Sequence, residues 1–208
     1  LTVNQALNNN KESIMSPADI LQLLIQAGAD VNKGFEVSDK SDEKKFVKYS
    51  GRTPLMVASK SGSTLNINLL IKSGADVNKA DHVGRTALYW ACSNFQLEAI
   101  KALLAAGAEV DKATIMSTEY CHNGQTPLHT TTLNCYSNNS TNQLETIKLL
   151  IENGADINKA TIAGTSINLK AYQTPLMFTI YQGWSSSDQK QIDHCTKLAI
   201  LLIESGAD

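Results

Sequence analysis

Apolar residues recur along this chain at helical spacing rather than in strict alternation. Leu97, Ile100, Leu103 and Leu104 are set three and four apart, on one side of a helix. The same pattern predicts helices over Leu65–Lys72, Leu144–Glu152 and Thr196–Glu204. A shorter apolar stretch such as Leu88-Tyr89-Trp90-Ala91 precedes each of them and predicts a first, shorter helix. Its start is marked by Thr53-Pro54-Leu55, Thr86-Ala87-Leu88, Thr126-Pro127-Leu128 or Thr174-Pro175-Leu176. Thr caps a helix N-terminus and Pro is tolerated in the first turn. Each second helix runs into a glycine suited to a positive-φ stop, as in Gly107-Ala108-Glu109-Val110-Asp111.

The stop phrase returns at Gly28, Gly74, Gly107, Gly154 and Gly206, at spacings of 46, 33, 47 and 52 residues. The 33-residue interval is the bare unit, and the others carry insertions. A single helix pair cannot bury its own apolar face, so neighbouring pairs must stack into a solenoid. Four Thr-(Pro/Ala)-Leu starts combined with five Gly-Ala-(Asp/Glu) ends resemble ankyrin repeats over residues 18–208. The expected fold is an all-α solenoid of helix-turn-helix units with β-hairpin-like fingers. Its units are a degenerate N-terminal capping repeat (1–33), a repeat with a long finger (34–80) and a regular repeat (81–113). A repeat with finger and inter-helix inserts (114–160) and a truncated last repeat with inserts (161–208) follow.

The insertions fall in two places. Gly to the following Thr spans 25, 12, 19 and 20 residues, so three fingers are enlarged. Thr to the closing Gly spans 21, 21, 28 and 32, so two links between helices are longer, around Ser137–Asn142 and Trp184–Gln191. Apolar–polar alternation on both sides of the charged stretch 38–43 predicts a hairpin within 34–49.

Lys plus Arg is 18 and Asp plus Glu 20, a net charge of −2, which argues against a nucleic-acid or anionic-membrane partner. The longest apolar candidate, Ala199 to Ile203, is far short of the roughly 20 residues of a membrane helix. Four irregularly spaced cysteines read as free thiols of a reducing compartment, hence the cytoplasm, or a host cytoplasm for a secreted effector. The chain begins without Met and stops inside a repeat phrase, so both ends read as boundaries within a longer protein.

Catalytic chemistry finds little support. Cys121, His122, His129 and Cys135 are zinc-type ligands at a spacing that fits no common module. His194 and Cys195 are adjacent, without a specified orienting acid. The expectation is no enzyme, no metal and no cofactor. By the resemblance, first helices and fingers line a concave groove, and aromatics there are candidate anchors. The candidate contact residues are Arg52, Lys60, Arg85, Tyr89, Trp90, Asn94, Gln125, Thr130, Gln173, Phe178, Tyr181 and Trp184. Tyr89 and Trp90 point about 100° apart on a helix, and Trp90 is the one expected to face the groove. The resemblance also implies candidate hydroxylation at Asn32, Asn78 and Asn158, each preceded by the Leu…Asp-(Val/Ile) pattern; the competing reading is an Asn bonded within its own turn. The expected function is a monomeric protein–protein interaction module whose partner the sequence does not name. The alternative is the recognition arm of a larger enzyme or secreted bacterial effector acting on host proteins.

Overall fold

The computed structural model describes residues 15–36, 50–115, 123–133, 140–162 and 172–208. The regular elements among them are nine helices: α1 (Pro17–Gln26), α2 (Pro54–Ser61), α3 (Thr64–Lys72), α4 (Ala87–Cys92), α5 (Leu97–Ala105), α6 (Pro127–Leu133), α7 (Ser140–Glu152), α8 (Pro175–Trp184) and α9 (Gln189–Glu204). They pair as α2/α3, α4/α5, α6/α7 and α8/α9. The first helices α2, α4, α6 and α8 stack in one layer, and α1, α3, α5 and α7 in the other. The core runs between the layers. Leu55, Leu88 and Leu128 fill it from one side, and Ile67, Ile100, Ile147, Leu70, Leu103 and Leu150 from the other, all fully buried.

The two sequence phrases have direct structural causes. Thr53, Thr86 and Thr174 accept hydrogen bonds from the backbone N–H of Met56, Tyr89 and Met177, and Thr126 from that of His129. Each thereby satisfies one orphan donor of a first helix. At the other end, Gly74 N–H donates to Ile71 O (3.1 Å) and Ala75 N–H to Leu70 O (3.0 Å), a Schellman stop that needs the glycine's φ of 85°. The same pair of bonds closes all five second helices.

The inserted links are partly helix rather than loop. Helix α7 starts at Ser140 and α9 at Gln189, so they have 13 and 16 residues where α3 and α5 have 9. The expected starts at Leu144 and Thr196 are therefore corrected. Asp188 caps α9 by accepting from Lys190 N–H. The buried side of α9 runs Gln191, Cys195, Leu198, Leu202, a helical spacing that begins on a polar residue. Residues 134–139 of the other link lie outside the described residues, as do 1–14 of the expected capping repeat and 37–49 of the expected hairpin.

The finger bases are closed by reciprocal backbone bonds. Phe35 N–H donates to Arg52 O and Gly51 N–H to Phe35 O; Thr114 pairs likewise with Gln125 and Gly124, and Thr161 with Gln173 and Tyr172. Successive fingers lie edge to edge, with Ile115 N–H on Val83 O (2.9 Å) and Ile162 N–H on Asn123 O (2.9 Å). That approach requires glycine. At Gly84, φ is 93° and a Cβ would sit 2.7 Å from Ile115 N. The fourth finger has Tyr172 at the equivalent place, also at positive φ (59°).

Candidate partner-binding face

Trp90 lies on α4, four residues after its capping Thr86. Stacking brings three cations to its indole. Cζ of Arg52, from the first finger, is 4.1 Å from the ring centroid, and Cζ of Arg85, from the second, is 4.6 Å away. Nζ of Lys60, at the end of α2, is 5.2 Å away. Each distance is within the range of a cation–π contact. Arg85 is fixed by a buried ion pair, Nε to Asp81 Oδ2 at 2.7 Å. Asp81 is fixed in turn, since its Oδ1 accepts from the backbone N–H of Val83 and Arg85.

The neighbouring groove lies between the first finger and α2. It is open, has a volume of about 460 Å³, and is bordered by Lys33, Phe35, Glu36, Arg52, Pro54 and Val57. Phe35 and Val57 are each 55% exposed. Arg52 is shared between this groove and the Trp90 cluster.

The other candidates divide by burial. Tyr89 points inward and its hydroxyl donates to Gln125 Oε1 at 3.3 Å, so both link two units from the inside. Thr130 and Arg85 are buried as well. Phe178 is 2% exposed and packs edge-on against His129, with centroids 5.7 Å apart. The expectation that Phe178, Gln125 and Tyr89 reach a partner does not fit their burial, because contacts between adjacent units already occupy them, and Thr130, 4% exposed, does not fit it either. Asn94 is half-buried, its amide donating to Trp90 O and Ser93 Oγ. Gln173 is half-buried, and its carbonyl receives His129 Nε2 at 3.1 Å. Tyr181 (51% exposed) and Trp184 (86%) are exposed on α8, two units away in sequence from the Trp90 cluster. Val57 and Phe35 were missed by sequence reasoning. Val57 could have been found by aligning the Thr starts, since it follows Thr53 by the four residues that separate Trp90 from Thr86.

The remaining reactive side chains have structural partners. His129 Nδ1 faces Thr126 Oγ1 at 2.8 Å and its Nε2 faces a carbonyl, so both ring nitrogens are taken. Burial holds His129 down to a pKa of about 4. His194 Nε2 contacts Gln143 Oε1 at 2.7 Å, and burial, then the charge of Lys197, lowers its pKa. Burial pushes the Cys92 thiol up, away from reactivity. Cys121, His122 and Cys135 lie outside the described residues. Among the described residues no group of three His, Cys, Asp or Glu could hold a metal ion. None of the described helices is long and apolar enough to cross a membrane.

The candidate hydroxylation sites are engaged by both amide atoms. Asn32 Nδ2 donates to Gly74 O (2.9 Å) and its Oδ1 accepts from Asp76 N–H (2.7 Å). Asn78 does the same to Gly107 O (3.0 Å) and Glu109 N–H (2.7 Å), and Asn158 to Gly206 O and Asp208 N–H. Each bridges one unit to the next, not merely its own turn. Asp111, at the equivalent place, has only acceptor atoms and receives Asp156 N–H alone (3.0 Å to Oδ2).

The family model for ankyrin repeats (3 copies) matches residues 13–114 and 83–161. The chain belongs to the ankyrin repeat family. Ankyrin repeats are protein–protein interaction modules, and the stacked pairs, fingers and bridging Asn residues above are this chain's version of the repeat. It is similar to inversin of Gallus gallus, 36% identical over 97 residues, which is 47% of this chain and 8% of inversin. NF-kappa-B inhibitor delta of Mus musculus is 33% identical over 85 residues, 41% of this chain and 24% of that protein. E3 ubiquitin-protein ligase XBAT33 of Arabidopsis thaliana is 32% identical over 91 residues, 43% of this chain and 17% of the ligase. The ankyrin array thus spans less than a quarter of the length of these curated relatives.

Proposed function

We propose that this ankyrin array recognises a protein partner through the face formed by the first finger, α2 and α4, and performs no chemistry itself. The observation that carries this reading is the continuity of the open Phe35–Val57 groove with the cation-clad indole of Trp90 through Arg52. A half-buried aromatic beside an apolar groove has the composition of an interface hot spot. Arg52, Lys60 and Trp90 are its anchors, and Asn94 lies at its edge. Tyr181 and Trp184 form a second exposed area, for a partner long enough to reach α8. Stacked units hold the face rigid, which lowers the ordering cost of binding.

The test is affinity capture with the wild-type chain, a Val57→Arg variant and a Lys101→Glu variant on the opposite layer. A specific protein retained by wild type and Lys101→Glu but lost with Val57→Arg is expected. A partner lost only with Lys101→Glu would refute this face. A second reading is favoured by the small share of each relative that the array spans. It makes the array the recognition arm of a larger enzyme or secreted effector, in which case the captured protein is modified by the full-length gene product and not by the array.

A further inference from the structure

We infer that the exposed side of α8 docks a single amphipathic helix of a partner protein, one that brings no finger of its own. This rests on the reading of the array as a protein-recognition module and gives the area around Trp184 its occupant. Met177, Ile180 and Trp184 follow one another by three and four residues, so they share one side of α8. All three are exposed, at 49%, 38% and 86%. Counted from the capping Thr, Met177 corresponds to Met56, Tyr89 and His129, and Ile180 to Ser59, Cys92 and Thr132. Those six are buried, and the first helix of the next unit packs alongside each time, α4 on α2, α6 on α4 and α8 on α6. On α9, Ile203 is exposed where Ile71, Leu104 and Ile151, each three residues before its stop glycine, are half-buried. A solenoid face left to water carries polar residues at such places. This one carries Met, Ile and Trp, at positions that a helix covers in each of the three preceding units.

A further ankyrin repeat does not fit this face. In the first three fingers a glycine lets the next finger's backbone approach. A Cβ on Gly51, Gly84 or Gly124 would lie 2.8, 2.7 and 2.8 Å from the backbone N of His82, Ile115 and Ile162. Tyr172 holds the same place in the fourth finger, also at positive φ, and its Cβ stands where that backbone would run. In the helix layer, Ile180 is larger than the Ser, Cys and Thr on which the earlier first helices pack, so a repeat seated in the usual register would be overpacked. A lone helix escapes both restrictions. It has no finger to meet Tyr172, and it can settle along α8 until small side chains face Ile180. Its apolar side then covers Met177, Ile180 and Trp184, as an amphipathic helix covers a groove.

The probe is a fluorescein-labelled amphipathic peptide, Lys-Ala-Leu-Glu-Ala-Ala-Leu-Lys-Ala-Leu-Glu-Ala-Ala-Leu-Lys, with its Gln-for-Leu counterpart. Anisotropy titrations use the folded 208-residue chain and its Ile180→Asp, Met177→Asp and Lys101→Glu variants, with thermal melts confirming the fold. Met177 is the more exposed of the two, so Met177→Asp decides the matter if Ile180→Asp proves unstable. The Leu peptide is expected to bind wild type and Lys101→Glu alike, and about tenfold or more weakly to Ile180→Asp and Met177→Asp. A further chain carries a copy of residues 77–113 after Asp208, and it is expected to bind the peptide as wild type does, because Tyr172 keeps the added repeat off α8. No binding of the Leu peptide, equal binding of the Gln peptide, an unchanged Kd in the folded α8 variants, or loss of binding in the extended chain would each overturn the proposal. A wild-type dimer in sedimentation velocity that Ile180→Asp abolishes would give the face to a second copy and overturn it as well. If the peptide fails while a captured protein still depends on Val57, the α8 site falls and protein recognition stands. If the peptide behaves as expected and no protein is ever captured, the α8 site stands and the first-finger face falls.

Discussion

Lowering the pH from 7 to 5 is expected to destabilise the stack through His129. Its Nε2 lies 3.1 Å from Gln173 O and must carry the proton there, so Nδ1 is the acceptor for Thr126 Oγ1 at 2.8 Å. A second proton on Nδ1 would break the Thr126 contact and place a charge in a fully buried site. Burial accordingly lowers the folded-state pKa from 6.5 to about 4. The unfolded chain then binds the proton more readily, so the stabilisation from neutral His129 is present above pH 6.5 and disappears as pH falls towards 4. The full effect is about 3 kcal/mol, of which about 2 kcal/mol is lost by pH 5. Urea unfolding of wild type and His129→Gln at both pH values isolates this contribution, because Gln does not titrate. Wild type should lose about 2 kcal/mol more than the variant between pH 7 and 5. Equal losses, or an imidazole NMR titration centred near 6.5, would refute the reasoning.

Three further outcomes follow from the same structure. Gly84→Ala meets Ile115 N at 2.7 Å and should cost about 3 kcal/mol, whereas Gly107→Ala, with open space around its Cβ, should cost about 1 kcal/mol of backbone strain; chemical denaturation of both compares them directly. Asn78→Ala removes both bonds between the second and third stops and should cost about 2 kcal/mol, seen as faster amide exchange around Gly107 and Glu109. Asp111→Asn supplies the missing donor for the next unit's stop and should stabilise the stack by about 0.5 kcal/mol, read as a rise in urea midpoint.

What the sequence made legible was local. The Gly-Ala stop and the Thr start each depend on hydrogen bonds within five residues, so their chemistry could be read from the phrase itself. Helix length in the last two units was less legible. Gln143, Thr146 and Gln191 occupy buried positions and read as solvent-facing in an apolar pattern. Inside, Gln143 Nε2 donates to Thr131 O at 2.6 Å and Gln191 Oε1 accepts from Ser186 Oγ at 2.6 Å, which offsets their burial. Phe178 and Trp90 both follow their capping Thr by four residues, and nothing local separates them. Only the neighbouring unit does. His129 covers Phe178, whereas Arg52, Arg85 and Lys60 line Trp90.

Photo-crosslinking tests the central claim most directly. A benzoylphenylalanine at position 57, beside the groove and the Trp90 cluster, is compared in cell lysate with one at position 101 on the opposite layer. Discrete protein adducts from position 57, absent from 101 and competed by unlabelled array, are the predicted result. Adducts confined to position 101 would contradict it, as would indistinguishable background from both.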